Sequence, residues 1–248
     1  MPKFTTLAPL AAVVLCMCAL LLTGLNVHET YARSRRNPTP PLYTITDWRD
    51  YVSRGERLGS IAAPVTAILF SDYQCPGCRN MHKRISALLQ ENSTSLTVVI
   101  RHFPLEFHAQ AEPAARAAVC AAEQDSFREF NDLLFAQVDS LGLTPWSLFA
   151  REAGVQDTAL FVRCMVSERT AAAIRADVDA AERLHLFAAP SLLLNGEVYF
   201  GVPWDLERIL ARHIQNASGR SVVTRREDAS KNLPGDLTAH HGVQRVLT

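Results

Sequence analysis

The stretch "APVTAILFSDYQCPGC", residues 63–78, joins an apolar run to two cysteines that stand three positions apart. Residues 65–71 are rich in apolar side chains and do not alternate with polar ones, which is typical of a strand buried on both faces. Apolar residues then recur at helical spacing as far as about Gln90 (Met81, Ile85, Leu88 and Leu89). With a second strand predicted at 96–103, this region predicts a strand–helix–strand unit with parallel strands.

The rest of the chain predicts a block of helices followed by a hairpin. From about 112 to 184 the pattern is almost continuously helical, which is too long for one crossover and predicts an inserted helical domain. Asn195-Gly196 lies between two apolar runs and predicts a two-residue hairpin. Residues 203–216 predict a final helix, and the polar sequence of 217–248 lacks periodicity, so we expect a disordered tail there.

The overall charge of the chain is balanced. Among 248 residues, 25 Lys and Arg cancel 25 Asp and Glu, so no global positive field would attract nucleic acid, and we expect no nucleic-acid partner. The length suits one globular domain with an insertion.

The N-terminal segment, assigned to residues 1–28, is strongly apolar. Residues 7–25 carry no charge, a length that suits a membrane span better than the core of a signal peptide. We therefore expect an uncleaved anchor rather than a removed signal. Residues 29–56 are interpreted as a basic, proline-rich linker followed by a short helix.

Two features of the sequence disagree about the orientation of this anchor in the membrane. Arg33, Arg35 and Arg36 follow the apolar segment, and counted strictly they would place the rest of the chain in the cytoplasm. The cysteine pattern favours the other side of the membrane, and we give it the greater weight.

The Cys75–Cys78 pair could bind a metal, form an inert bridge or exchange electrons. Zinc normally takes four ligands, and beyond this pair only His82 lies on the same helix face, so a metal site is weakly supported. A helix start after a buried strand is where a scaffold exposes reactive groups. Free N–H groups and the helix dipole there favour a Cys75 thiolate, which is the nucleophilic form.

The neighbouring residues fit redox chemistry. Pro76 removes a donor that would be unpaired in the first turn and preorganises the helix start, while Gly77 adds no side chain beside the sulfur. Cys78 lies one turn on, beside Cys75, and can resolve a mixed disulfide.

Three segments together resemble the DsbA-like thiol:disulfide oxidoreductases, which have a thioredoxin fold. They are "APVTAILFSDYQCPGC", "RHFPLEFHAQAEPAARAAVCAAEQ" (101–124) and "APSLLLNGEVYFGVPW" (189–204). The resemblance covers roughly 57–214 in the family's order. It implies an α/β thioredoxin fold, with a central mixed sheet flanked by helices, in a domain at 57–216 that contains the helical insertion and is preceded by the N-terminal hydrophobic segment.

The resemblance also implies the roles of individual residues. Cys75 would be the attacking cysteine and Cys78 the resolving one, while Pro190 would be the cis-proline that binds substrate backbone. Ala189 stands where the family often has Thr or Val, so a hydroxyl is absent beside the substrate. Leu69 stands where many members carry a buried acid that assists proton transfer.

Two further sites carry expectations. Some members of the family have a second disulfide in the helical region, which implies a structural disulfide between Cys120 and Cys164; two separately buried thiols are the alternative. Asp72 is expected to cap the helix that follows it, with a proton-handling role as the second option. His108 is expected to be structural or semi-exposed, or to function near the site.

The sequence therefore predicts an extracytoplasmic thiol–disulfide oxidoreductase of the periplasm or cell envelope, membrane-anchored or secreted. Its partners would be cysteine-containing protein substrates, the membrane through the N-terminal segment, and a redox partner that resets the cysteine pair. We expect no metal or organic cofactor. A disulfide-forming oxidase is favoured; the alternatives are a reductase or isomerase of the same fold, or a non-catalytic module that binds a metal or thiol proteins.

Overall fold

The computed structural model describes residues 7–36 and 38–231, which form a six-stranded sheet and eight α-helices. The strands are β1 (Tyr43–Thr44), β2 (Glu56–Gly59), β3 (Val65–Ser71), β4 (Leu96–His102), β5 (Ser191–Leu194) and β6 (Glu197–Phe200). The helices are α1 (Leu7–Arg36), α2 (Pro76–Glu91), α3 (Ala111–Ala122), α4 (Phe127–Ala136), α5 (Trp146–Glu152), α6 (Thr158–Met165), α7 (Glu168–Arg183) and α8 (Leu206–Lys231).

The sheet is mixed, with strand order β1-β6-β5-β3-β4-β2. β3 and β4 are parallel and joined by α2, as the sequence predicts, while the other neighbouring strands are antiparallel. β3 is central and almost wholly buried. Because it is covered on both faces, it has the continuous apolar sequence that such strands need.

Alternate side chains of β3 pack into two separate cores. Leu69 belongs to the larger core with α2 and the helices of the insertion, while Phe70 belongs to the smaller core with α7. Arg101 on β4 also lies on the α7 side, where it is ion-paired with Asp177 and almost fully buried. A central sheet flanked by helices is the predicted architecture.

The hairpin between β5 and β6 has the predicted two-residue turn. Asn195 and Gly196 have φ angles of 49° and 91°, which only residues that tolerate left-handed backbone adopt easily. A side chain at Gly196 would also meet the carbonyl oxygen of Ile45 at 2.5 Å. This turn sets the register in which β5 pairs with β6.

Two parts of the chain differ from expectation. The segment assigned as a linker begins inside α1, which runs to Arg36, and it contains β1 before the short helix, which is a 3₁₀ helix at Trp48–Tyr51. Glu56–Gly59 becomes an edge strand because it completes the hydrogen bonding of β4. α8 continues to Lys231, into the predicted disordered tail, through a segment that contains good helix formers. The remaining tail residues, 232–248, lie outside the described residues.

The N-terminal apolar segment lies in α1, and residues 1–6 of the assigned anchor lie outside the described part of the chain. Within residues 7–36 and 38–231, no helix has both the length and the apolar character needed to cross a membrane.

Candidate active site

The two cysteines lie where β3 gives way to α2. Cys75 is the N-cap residue of α2, with extended backbone angles (φ −75°, ψ 122°), and Pro76 occupies the first turn. The carbonyl of Cys75 accepts the first helical hydrogen bond, from Arg79 N at 3.0 Å. The Cys75 side chain therefore points from the helix N-terminus, where free N–H groups stabilise negative charge.

The two thiols have opposite environments. Cys75 is half-buried, whereas Cys78 is completely buried and its sulfur accepts a hydrogen bond from Asp72 N at 3.3 Å. The pKa of Cys75 is lowered to about 6, chiefly by a hydrogen bond from the Cys78 thiol and also by the backbone N–H groups of Cys78 and Gly77. Partial burial and the Asp72 charge act in the opposite direction.

The pKa of Cys78 is raised, first because its thiol donates to Cys75 and second because it is buried. Only the thiolate is a nucleophile. At neutral pH, Cys75 is therefore mostly a thiolate and Cys78 a thiol.

The loop before β5 forms the other wall of the site. The Ala189–Pro190 peptide bond is cis, and the Cys75 sulfur lies 3.3 Å from the carbonyl oxygen of Ala189, to which it donates when it is protonated. The structure thus brings together Cys75, Ala189 and Pro190, as expected for residues that would bind a substrate beside the reactive sulfur.

Gly77 has a role that the sequence did not reveal. A Cβ atom at this position would lie 3.1 Å from Cδ of Pro190 and 3.7 Å from the Cys75 sulfur. Contacts as short as the first are rare, so glycine lets the Pro190 ring approach the start of α2 closely.

Asp72 does not cap α2, so that expectation is wrong: the N-cap is Cys75. The Asp72 carboxylate instead bonds residues outside the helix. Its Oδ1 accepts from Gln74 N at 2.7 Å, and its Oδ2 accepts from Leu105 N at 2.8 Å. Oδ2 also lies 2.8 Å from Nδ1 of His108.

His108 is partly exposed, as one expectation has it, and its contact with Asp72 links it to the segment that leads into the cysteines, while a functional role for it stays a prediction. β3 and β4 are parallel, so their C-terminal ends meet at one edge of the sheet, and the loops that follow them can touch. The predicted parallel strands could therefore have shown that residues just after β4 come close to the segment between β3 and α2. They could not have shown which residues make the contact.

The other two cysteines of the domain lie apart from this site. Cys120 on α3 and Cys164 on α6 form a disulfide, with their Cα atoms 5.7 Å apart and both residues buried. The bridge fastens two helices of the insertion to each other.

His82, the one candidate for a metal site with the cysteine pair, has other partners. Its Nε2 lies 3.1 Å from Asp132 Oδ1, and its ring stacks on Phe135 with centroids 4.6 Å apart. Within the part of the chain that the structure describes, no three His, Cys, Asp or Glu residues come together to hold a metal ion.

A sequence relative matches one part of a much longer protein. Na(+)/H(+) antiporter NhaA 3 of Salinispora tropica is 36% identical over 164 residues, which are 66% of this chain and 24% of that protein. The chain thus spans about a quarter of the length of the curated relative that it matches.

Solved structures share the fold at low sequence identity. BdbD from Bacillus subtilis, in its oxidised form, has a TM-score of 0.59 and 17% identity, over 72% of this chain and all of that chain. Wolbachia pipientis alpha-DsbA1 has a TM-score of 0.56 and 21% identity, over 68% and 92%. A periplasmic thioredoxin-like protein of Salmonella enterica serovar Typhimurium has a TM-score of 0.54 and 22% identity, over 64% and 89%.

A family model described as thioredoxin matches residues 53–210, more than half of the chain and the whole of the cysteine site. These residues contain the complete sheet except β1, together with the helical insertion. The chain therefore belongs to this thioredoxin family, and its fold is similar to that of BdbD and alpha-DsbA1.

Proposed function

We propose that this protein is an extracytoplasmic thiol–disulfide oxidoreductase that exchanges disulfides with cysteine-containing proteins, with residues 57–216 as its catalytic domain. The observation that carries the proposal is the half-buried Cys75 thiol, whose pKa is lowered to about 6 at the start of α2, next to the cis Ala189–Pro190 bond. A thiolate at neutral pH beside a wall that can hold a polypeptide is what this reaction requires.

The chemistry proceeds through one mixed disulfide. A substrate thiolate attacks the Cys75 sulfur of the oxidised pair, the Cys75–Cys78 bond breaks, and Cys78 leaves and takes up a proton. A second substrate thiolate then attacks the substrate sulfur of the mixed disulfide and releases Cys75 as its thiolate. Two electrons pass from the substrate to the cysteine pair, and a redox partner must remove them to complete the cycle.

Substrate binding is assigned to Ala189 and Pro190. The Ala189 carbonyl already faces the Cys75 sulfur at 3.3 Å, so a backbone held against this loop would place its own cysteine close to Cys75. Ala189 contributes no side-chain hydroxyl, and recognition therefore depends on the backbone of the substrate, which suits substrates of varied sequence.

The favoured direction is oxidation of substrates. A hydrogen bond from Cys78 and two backbone N–H groups stabilise the Cys75 thiolate, and this thiolate exists only in the reduced pair. Whatever stabilises the reduced pair makes the disulfide a stronger oxidant. Release of Cys75 as a good leaving group favours the same direction.

The proposed location is the periplasm or cell envelope, with the chain either attached to the membrane through its N-terminal segment or secreted. The buried Cys120–Cys164 disulfide supports an oxidising compartment, and the similar Salmonella protein is described as periplasmic.

The decisive experiment is equilibration of the full chain with glutathione buffers, with quantification of reduced Cys75–Cys78. A potential near about −120 mV would support an oxidase, whereas one near about −270 mV would make the protein a reductase. The Cys120→Ser/Cys164→Ser variant is the control, because it leaves only the active-site pair of the domain to titrate. A chain without thiol-oxidising or insulin-reducing activity, but with stoichiometric zinc or copper binding that Cys75→Ser abolishes, would contradict the proposal and favour a binding module.

A further inference from the structure

The Asp72 carboxylate is fully buried beside the cysteine pair, and capping of α2 does not explain it. Its side chain has no exposed surface, yet it accepts from two backbone N–H groups and contacts the His108 ring at 2.8 Å. Burial of a carboxylate is costly unless it is hydrogen-bonded or paired, so this arrangement has to be accounted for by structure or by function.

The reaction creates a demand for proton transfer at this place. Cys78 is completely buried and its pKa is raised, but it must lose its proton to attack Cys75 and must regain one when it leaves. β3, which precedes the cysteine turn, carries Leu69 in its apolar core and has no acidic residue in Val65–Ser71. Asp72 is the acidic residue closest in sequence, and its own N–H contacts the Cys78 sulfur.

A route from Asp72 to the solvent runs through His108. The His108 side chain is 19% exposed, whereas that of Asp72 is completely covered. His108 lines a cavity of about 420 Å³ formed by the segment from 104 to 116. Ala189 and Pro190 are not among the residues that line this cavity.

We propose that Asp72 and His108 form a proton relay that exchanges the Cys78 proton with solvent through the cavity of the 104–116 segment. This inference rests on the proposed function. Asp72, whose backbone N–H contacts the Cys78 sulfur, is assigned to the sulfur side of the relay, and His108, whose ring contacts the Asp72 carboxylate, is assigned to the solvent side. The relay supplies the proton acceptor that Leu69 cannot provide.

The step balances in both directions. As the pair becomes oxidised, the Cys78 thiol gives its proton to the relay by way of one water, and the resulting Cys78 thiolate attacks the Cys75 sulfur of the mixed disulfide. The new sulfur–sulfur bond forms as the bond from Cys75 to the other molecule breaks, and that molecule leaves as a thiolate. When the pair is reduced, the relay returns a proton to the departing Cys78.

Other charged groups around the relay set its electrostatics. The cavity beside His108 is lined by Glu106 from the same loop and by Glu112 and Arg116 from α3. Arg116 is ion-paired with Glu112 at 2.7 Å. On the other side, Asp72 faces Cys75, and its negative charge raises the pKa of that thiol.

The test uses the reduced full chain and Ellman's reagent, 5,5′-dithiobis(2-nitrobenzoate), in a rapid-mixing experiment. The first nitrothiobenzoate is released when Cys75 attacks, and the second when Cys78 resolves the mixed disulfide, so the two steps separate in one trace. Asp72→Asn removes the charge with little change in shape. His108→Asn can still donate to Asp72 but cannot carry a proton in the neutral pH range.

The relay predicts a loss in the second phase alone. General acid–base groups contribute roughly 100-fold or more, so we expect Asp72→Asn to slow the second release by about 100-fold at pH 7, and its rate should then rise with pH without a plateau. His108→Asn should slow it on the order of tenfold. The first phase should be unchanged at pH 7 and faster below pH 6 in Asp72→Asn, because removal of the carboxylate lowers the pKa of Cys75.

His82→Asn is the matched control, because His82 lies on α2 and, like His108, is paired with an aspartate, Asp132 on α4. It should leave both phases within about twofold of the parent. Second-phase rates and pH profiles of Asp72→Asn and His108→Asn that match the parent would overturn the relay. Equal slowing of both phases in His108→Asn would also overturn it, since that is the signature of a structural role.

The outcomes separate the two proposals. If the parent chain shows no second release, or if Cys75 reacts no faster than a free cysteine, the oxidoreductase assignment itself fails. If the parent resolves its mixed disulfide and the relay variants resolve theirs at the same rate, the function stands and the relay does not. Circular dichroism identifies a variant that does not fold, and His108→Asn decides the outcome if Asp72→Asn is such a variant.

Discussion

Two cysteine pairs of the same domain have opposite properties. Cys75 and Cys78 are free thiols at the start of a helix, and one of them is half-exposed. Cys120 and Cys164 form a disulfide between two helices, and both are buried. The chemistry of the side chains is identical, so the difference comes from backbone dipoles, burial and the neighbouring groups.

The reactivity expected of a cysteine depends both on the exposure of its sulfur and on the groups that stabilise its thiolate. Free N–H groups and a hydrogen bond from Cys78 lower the pKa of Cys75, and its side chain is only half-buried beside Ala189. Cys120 and Cys164 are buried, which hinders the approach of a reductant. We therefore expect the first pair to exchange and the second to restrain the chain.

The largest expected effect comes from removal of the nucleophile. Cys75→Ser should reduce the rate of thiol–disulfide exchange with a model peptide by at least about a thousandfold, whereas Cys78→Ser should still attack and accumulate a mixed disulfide. Mass spectrometry of the trapped adduct checks the second point. Retained activity in Cys75→Ser would break the distinction between the two pairs.

Removal of the second pair should affect stability and leave the chemistry intact. Cys120 and Cys164 are 44 residues apart, so the chain-entropy model gives up to about 4 kcal/mol of lost stability for Cys120→Ser/Cys164→Ser. Urea unfolding measures this loss, and the alkylation rate of Cys75 should not change. A large fall in that rate, with the fold preserved, would show that the pairs are coupled.

The pH dependence of Cys75 alkylation measures how far the folded structure lowers the pKa of this thiol. The thiolate reacts with iodoacetamide, so the rate at Cys75 should rise with pH and reach half its maximum near pH 6, the pKa of this thiol. In urea the midpoint should move to about 8.5, the value of an unperturbed cysteine. Peptide mass spectrometry isolates Cys75 from the other thiols, and a native midpoint near the unfolded one would remove the basis of the catalytic assignment.

The smallest effect is expected for Gly77→Ala. The added methyl group would press on Pro190, whose Cδ is 3.1 Å from its position, and such overpacking costs about 1 kcal/mol. Gly219→Ala in α8 is the control, because a Cβ there meets nothing within 4 Å. Denaturant unfolding compares the two, and an equal response would mean that the contact with Pro190 is not restrictive.

The sequence was sufficient wherever a local pattern specified a local structure. The apolar run of β3, the helical spacing of α2 and the Asn195-Gly196 turn each predict their own element, and the structure has all three. Pro76 and the neighbouring cysteines likewise mark the start of α2. These features depend on residues that are close in the chain.

Features formed between distant segments escaped prediction. β2 was missed because its four residues have little strand character and are ordered by pairing with β4. Asp72 was expected to act on the next helix, but it bonds Leu105 and His108, more than thirty residues later. The role of Gly77 depends on Pro190, which the sequence places far away.

Sequence patterns alone predicted the strand–helix–strand unit, the helical insertion, the hairpin, a cysteine at a helix start and the family to which the chain belongs. Only the tertiary structure decided what surrounds that cysteine: the carbonyl of Ala189, the ring of Pro190 and the buried Asp72–His108 pair. The physical reason is that strand patterns and helix dipoles are local properties, whereas burial and hydrogen-bond partners depend on segments that meet only when the sheet has formed.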